Sequence, residues 1–408
     1  MYPPDAATVL VRHGELGTKS DQVQRHMERI LQENLQNMLE WEGVDATVER
    51  ERGRIFLRSP EDEIDAAIAV ARRTFGVISA SVCLTVDPTL EAIKDGLDRT
   101  AQRVPPDGPF AISARRVGDA TAHSFRSADI EEQGGAAVWK ALEARQAPSV
   151  DLEDPAQTYY VECREDEAYI FLDKPSGPGG FPYGTQGNVV TLISGGIDSP
   201  VAAWEAMRRG CTITPVYFDF EDYGGPDHVA RAFESVRQLA TYVPEGTLSL
   251  FVVPIGDPVD SLVEAVGATR MLSLRRLMFA TAERIAYRVG AHALVTGESI
   301  GQKSSQTGQN IAVTSADTTL PIHRPLLDRD KSAIVGAARS IGTYQNARIE
   351  AGCNRVAPSF PETRATRAQV VAAEPDGFFR AIEEAVDAAE QVAVSPRYGG
   401  PTMQELSI

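Results

Sequence analysis

Apolar positions over the first ninety residues alternate between two spacings. "ATVLVRHGEL" has the period of two that a β-strand needs, and Val23, Met27, Ile30, Leu31, Leu35, Met38 and Leu39 then recur at helical spacing. "TVERERGRIFLRS" reads as two strands turned at Gly53. Residues 61–75 form a second helical stretch, and "SASVCLTV" alternates small and apolar residues as a closing strand. Strand-helix-strand-strand-helix-strand is the ferredoxin-like order, and it covers residues 1–87.

A second unit follows over 88–175. Its elements are a helix at Leu90–Arg103, a strand "PFAISARR", a helix at 127–144 and strands "TYYVECR" and "EAYIFLD". The stretch "KPSGPGGFPYGTQGN" is dense in breakers and reads as a linker or ordered loop. From residue 189 the chain switches to strand-helix alternation. "VVTLI" is a continuous apolar run, as a parallel strand covered on both faces requires. A helix at 201–209 and strands "CTITPVYFDF", "LSLFVVPI" and "HALVTGES" follow, with long amphipathic helices between. The expected fold class is therefore α/β multidomain: a ferredoxin-like part, a second α/β part over 88–175, and a doubly wound parallel sheet over 176–408. An acidic helix is expected at 376–392.

Composition narrows the setting. In 408 residues there are 40 Lys and Arg against 57 Asp and Glu, a net charge of −17. Lysine is confined to Lys19, Lys94, Lys140, Lys174, Lys303 and Lys331. Acidity alone disfavours nucleic-acid binding, because phosphates are neutralised by Lys and Arg. An acid-rich, lysine-poor surface is better explained by a high-salt cytoplasm, and local basic clusters then matter more than the total. No apolar run reaches membrane length, and the N-terminus lacks a secretion signal, so a cytoplasmic protein without a membrane partner is expected. The four cysteines, Cys83, Cys163, Cys211 and Cys353, form no CxxC pair, and the six histidines show no metal-ligand spacing. No cluster of metal-ligating residues is expected. Cys83, Cys163 and Cys211 fall within apolar strands and read as structural.

The chemistry concentrates at "LISGGIDSP", residues 192–200. It follows the first strand of the last sheet and opens a helix, the place where ligands bind such sheets. Gly195 and Gly196 let backbone amides turn toward an anion, Ser194 and Ser199 add hydroxyls, and the helix N-terminus adds its dipole. Pro200 suits the first helical turn. Asp198 is placed to orient a metal ion or an attacking group, or to cap the helix, and the two roles are compatible.

This loop resembles the PP-loop of ATP pyrophosphatases, which cleave ATP between the α and β phosphates. More widely, "VRHGELGTKS", "FGVISAS", "GPGGFPYGTQG", "LISGGIDSPVAAW", "ALVTGESIGQKSSQT", "HRPLLDRDK" and "IGTYQNARIEAGC" follow one another as in the ThiI family of tRNA 4-thiouridine synthases. The resemblance covers the chain up to Cys353 and beyond. It implies a THUMP domain at 88–175, a PP-loop domain at 176–408, and ATP with Mg²⁺ as cofactors. The implied reaction adenylates the C4 oxygen of a tRNA uridine, expected at position 8, and replaces it with sulfur.

The resemblance also implies site residues. Leu192, Ile193, Tyr217 and Phe218 would line the adenine site, although each could equally be a core residue. Arg275, Gly297 and Gln306 would contact ATP together with the Ser194–Ser199 loop. Lys331 would place a compact charge on the phosphates, and an ordinary surface lysine is its alternative. Cys353, in "EAGCNRVAP", would carry sulfur as a persulfide, with Arg348 and Arg355 lowering its pKa.

The partners implied are tRNA, a sulfur donor (a cysteine desulfurase persulfide or sulfide) and a second copy of the chain in a homodimer. For RNA the candidates are Arg12 and Lys19 at the first strand-helix junction, with His13 and Arg25, and Arg115, Arg116 and Arg126 further on, with His123 and Lys140. The sequence departs from some relatives in showing neither a rhodanese module with a second cysteine nor a CxxC pair. A rhodanese-less member from a halophilic archaeon is therefore expected, and a thiamine-related sulfur role is weakened. Two rivals remain: an adenylating enzyme that 2-thiolates another tRNA base, and a non-catalytic THUMP protein.

Overall fold

The computed structural model describes residues 1–14, 20–51, 53–119, 121–143, 145–224, 226–346 and 356–396. They form two compact units, Met1–Pro182 and Tyr183–Ile408.

The first unit runs β1 (Thr8–His13), α1 (Asp21–Glu42), β2 (Thr47–Glu51), β3 (Arg54–Arg58), α2 (Ile64–Ala71) and β4 (Val77–Val86). It continues with α3 (Leu90–Arg103), β5 (Phe110–Arg116), α4 (Ser127–Glu143), β6 (Gln157–Cys163) and β7 (Ala168–Phe171). Gly53 has a φ of 74°, the left-handed conformation that the β2–β3 turn requires. Among the described residues all these strands join one seven-stranded sheet, in the order β2-β3-β1-β4-β7-β6-β5. The ten-residue β4 makes the join, pairing with β1 through Val77–Cys83 and with β7 through Leu84–Val86.

Strand alternation decides what each face carries. Val9, Val11, Leu57 and Val82 pack under α1 and α2 with Leu31, Leu35 and Ala67. Leu84, Ile112, Val161 and Ile170 pack under α3 and α4 with Ile93, Leu97 and Val138. The intervening residues Leu10, Phe56, Cys83, Tyr169 and Phe171 make a separate small cluster. The Gly/Pro-rich stretch is an ordered loop where it leaves this sheet: Gly177 and Gly179 donate to the Ile78 and Val77 carbonyls at 2.8 and 2.7 Å.

The second unit comprises β8 (Asn188–Ile193), α5 (Asp198–Arg208), β9 (Thr212–Asp219), α6 (Pro226–Ala240), β10 (Leu248–Pro254), α7 (Gly256–Ala265), α8 (Arg270–Arg288) and β11 (Leu294–Val295). After these come α9 (Gly308–Ser315), β12 (Ile322–His323), α10 (Lys331–Ser340), α11 (Arg367–Ala373), α12 (Phe378–Asp387) and β13 (Glu390–Val394). The strands are ordered β12-β11-β8-β9-β10-β13, parallel throughout except for β13. β8 is a central strand, fully buried from Val189 to Ile193.

Three local expectations need correction. The helix expected at 376–392 ends at Asp387, and Glu390–Val394 pairs antiparallel with Leu248–Val252 as an edge strand. Val392 and Val394 alternate with neighbours that face solvent, and β-branched residues in that pattern prefer a sheet edge to a last helical turn. "HALVTGES" supplies only a two-residue strand, because Gly297 onward turns into the site. Cys211 sits before β9, half-buried, whereas Cys83 and Cys163 are buried within strands.

Candidate active site

The loop from Ser194 to Ile197 leaves the end of β8 and enters α5, with Asp198 as the first helical residue. It is built on its own hydrogen bonds. The Ser199 hydroxyl accepts from the Ser194 amide at 2.8 Å and donates to the Ser194 carbonyl at 3.2 Å, while the Ser194 hydroxyl accepts from the Gly196 amide at 3.3 Å. Close approach explains two glycines. A Cβ on Gly195 would lie 2.8 Å from the Cβ of Arg231. A Cβ on Gly297 would lie 2.7 Å from both the Asp198 carbonyl carbon and the Ser199 amide. Gly297 therefore lets the segment after β11 pack directly on the entry to α5.

Asp198 receives two donors. Lys331 Nζ lies 2.6 Å from Oδ1, and Gln302 Nε2 donates to Oδ2 at 3.1 Å. Lys331 is itself the first residue of α10, so two helix N-termini meet at one point. The helix dipole disfavours a cation in a first turn, and α10 gains nothing from a lysine there. The convergent amide ends make this point electropositive, which suits an anion.

Beside it lies a buried charge network. Glu298, 1% exposed, accepts from Arg275 at 2.9 Å and from Arg324 at 2.8 Å. With its amide turned to match its neighbours, Gln306 accepts from Arg275 at 3.2 Å and donates to the Ser299 carbonyl at 2.9 Å. The three residues expected to contact ATP outside the loop, Arg275, Gly297 and Gln306, are thus brought together around Glu298.

In the first unit, cations gather on the side of the sheet that carries the small aromatic cluster. Glu162, 2% exposed, is bound by Arg54 at 3.5 Å, by Arg164 at 3.0 Å and by Arg115 at 3.0 Å. Burial pushes the Glu162 carboxyl up, but Arg54, Arg115 and Arg164 outweigh it and hold the group below the ordinary glutamate range. Arg12 lies over the Phe171 ring at 4.6 Å, and Lys174 over the Tyr160 ring at 3.6 Å.

The cysteines that are described differ in kind from a sulfur carrier. Burial pushes the Cys83 thiol up to about 12 and the Cys163 thiol up to about 11, and raises Cys211 in the same direction. Each stays protonated near neutrality, where a carrier must be a thiolate.

Comparison with known proteins places the chain. The family described as Thiamine biosynthesis protein (ThiI) matches residues 184–377, the ThiI ferredoxin-like domain residues 8–81, and the THUMP domain residues 88–173. A Halobacterium salinarum protein named probable tRNA sulfurtransferase is 51% identical over 379 residues, covering 93% of this chain and 95% of its own. The chain belongs to the ThiI family. An Aeropyrum pernix ThiI relative of the same name is 41% identical over 358 residues, covering 83% of this chain and 84% of its own. A solved 4-thiouridine synthetase, in complex with RNA and with bound ATP, is 28% identical with a TM-score of 0.84, covering 96% of this chain and all 100% of its own. PH1313 from Pyrococcus horikoshii, 23% identical over 82% of this chain and 99% of its own, shares the fold with a TM-score of 0.63.

The structure sorts the ThiI-derived expectations. The Ser194–Ser199 loop, Asp198, Lys331, Arg275, Gly297 and Gln306 lie in one region of the second unit. Ile193 pairs with Tyr217 across β8 and β9, so the four expected adenine contacts do end adjacent strands. Their side chains are all buried, and Leu192 and Phe218 belong to the main core of this unit. Among the RNA candidates, Arg115 and Arg12 approach Glu162, Arg116 donates to the Phe125 carbonyl at 2.6 Å, and Arg126 stays largely exposed beside Asp129. Cys353 and Lys19 lie outside the described residues, as do Arg348 and Arg355. Gln302, Glu298, Arg324, Arg54, Arg164 and the placement of Lys174 were not foreseen. Only strand alternation offered a signal, since Arg54, Phe56 and Arg58 share one face of β3. Among the described residues no helix is long and apolar enough to cross a membrane.

Proposed function

We propose that this chain is an ATP-dependent tRNA sulfurtransferase that adenylates the C4 oxygen of a tRNA uridine, expected at position 8, and exchanges that oxygen for sulfur. The observation that carries this reading is the meeting of Asp198 and Lys331 at the Ser194–Ser199 loop, where two helix N-termini converge. ATP lies with its base at the ends of β8 and β9 and its phosphates on the loop amides and Ser hydroxyls. The uridine C4 oxygen attacks the α-phosphorus, the bond to the β-phosphate oxygen breaks, and pyrophosphate leaves into the field of the loop and Lys331. Positioning and charge stabilisation supply most of the catalysis in such transfers.

The loop's donor set suits Mg²⁺ that arrives on the phosphates. Asp198 offers one carboxylate, and among the described residues no group of three His, Cys, Asp or Glu could cage a metal. When bound, Mg²⁺ neutralises phosphate charge, and Asp198 is the residue that would hold it.

Adenylation turns a poor leaving group into AMP. Cys353, as a persulfide, then delivers its terminal sulfur to C4 as AMP departs, and a second thiol cleaves the sulfur–sulfur bond to release 4-thiouridine. A cysteine desulfurase persulfide charges Cys353 by passing on its outer sulfur, whereas sulfide, as the donor, attacks the adenylated C4 directly and expels AMP without Cys353 or a second thiol. Residues 1–87 and 88–175 hold the tRNA, residues 176–408 carry the chemistry, and the protein acts as a homodimer in the cytoplasm. Deleting the gene and digesting bulk tRNA tests the assignment. Loss of 4-thiouridine supports it, and 4-thiouridine at the undeleted level contradicts it.

A further inference from the structure

Lys331 makes a 2.6 Å contact with Asp198 although its side chain is 50% exposed. An exposed ion pair is weakly held, and fixing a lysine side chain costs it much of its rotamer freedom. The pair therefore cannot hold itself together. The backbone of α10 must be delivered to the right place.

A second contact between the same two elements does this. Asp198 and Glu205 are seven residues apart on α5, two turns along one face. Arg329 and Lys331 are two residues apart at the entry to α10. Arg329 NH1 lies 2.8 Å from Glu205 Oε1, and Arg208 Nε lies 3.6 Å from the other carboxylate oxygen. The Glu205 side chain is 9% exposed on a helix whose other buried residues include Val201, Ala202, Ala203, Ala206 and Met207. A carboxylate there costs stability unless it is paired, so packing alone does not account for it. From the opposite side, the Ser299 hydroxyl donates to the Arg329 carbonyl at 3.4 Å and the Ile300 amide to the Leu327 carbonyl at 3.1 Å. The loop from Leu327 to Asp330 is thereby held at both edges.

We infer that Glu205 and Arg329 are positioning residues that clamp the entry of α10 onto α5 and so present Lys331 to Asp198. This rests on the role proposed for Lys331 above.

The test uses the full-length protein with Glu205→Gln, Arg329→Gln and Arg329→Lys, read in two ways. The first is tRNA-dependent AMP release. The Gln variants are expected to lose about tenfold or more in kcat, with KM for ATP within about twofold of the parent, and Arg329→Lys to recover most of the loss. The second is competitive labelling of amines with an acylating reagent, with Lys331 scored by mass spectrometry against Lys94, which pairs with Glu91 in the other unit. Lys331 is expected to label several-fold faster relative to Lys94 in the Gln variants. An unchanged labelling ratio, or unchanged kcat in an active enzyme, overturns the clamp. If the parent protein releases no AMP, the proposed function fails, and the labelling ratio still decides the clamp. Should Glu205→Gln not fold, the half-exposed Arg329 carries the comparison alone.

Discussion

Asp198 and Lys331 are 133 positions apart in sequence and 2.6 Å apart in space, each the first residue of its helix. Neither helix needs the contact. A lysine at a helix start opposes the dipole, and an exposed pair is weakly held, so the arrangement makes sense as a device for handling phosphate. Lys331→Met and Asp198→Asn should each lower tRNA-dependent pyrophosphate release by about 10²-fold or more without unfolding the chain. Lys331→Arg should recover little, because a planar fork does not replace a compact ammonium at this contact. Steady-state assays with circular dichroism as a folding control check this.

Gly297 leaves no room for a side chain, and the atoms in the way are the backbone of Asp198 and Ser199. Gly297→Ala should displace the start of α5 and weaken ATP binding at least about tenfold. Thermal stability should fall only modestly, because the neighbouring strand is short. Calorimetric titration with ATP reads the first effect, and a melting curve the second.

Glu298 is buried and neutralises Arg275 and Arg324, which keep 21% and 12% of their side chains exposed. Removing one member of a buried ion group costs about 3–5 kcal/mol, so Glu298→Gln should lower Tm clearly and raise KM for ATP by releasing Arg275 from the carboxylate that fixes it. A variant with normal KM would detach this network from the nucleotide.

Much of this was legible in the sequence, and the limits have physical causes. The Ser194–Ser199 loop was visible because a phosphate cradle must be local: one strand end, two glycines and one helix start. Period-two and helical spacing located the elements of the first unit because each buries one face, and a continuous apolar run located the central strand of the second because both its faces are covered. Glu298 and Glu205 were invisible because a buried carboxylate reveals itself only through partners distant in sequence, such as Arg324 and Arg329. The edge strand Glu390–Val394 was hidden in an acidic stretch whose helical pattern ends only ten residues into α12. Cys211 reads as a strand residue by composition, yet Gly210, with φ of 89°, turns the chain just before it.

The Glu162 cluster gives a pH signature. Its carboxyl titrates below the ordinary glutamate range when folded. The stabilisation is therefore complete above that ordinary range and is lost as pH falls through the lowered folded value. Glu162→Gln should destabilise the parent protein at pH 7 and flatten the part of the acid-unfolding curve below the ordinary glutamate range. Urea melts of both proteins at a series of pH values measure it, and parallel curves would show that the three arginines do not depend on this carboxylate.

If the loop cleaves ATP to activate a tRNA base, AMP and the thiolated base must appear together. Purified protein should be given ATP, Mg²⁺, sulfide as the sulfur source, a thiol reductant and an unmodified tRNA transcript, with AMP and 4-thiouridine counted in the same reaction. AMP formation should require the tRNA, accompany each 4-thiouridine made, and be absent with Asp198→Asn. AMP release that is indifferent to tRNA, or 4-thiouridine formed without AMP, would contradict it.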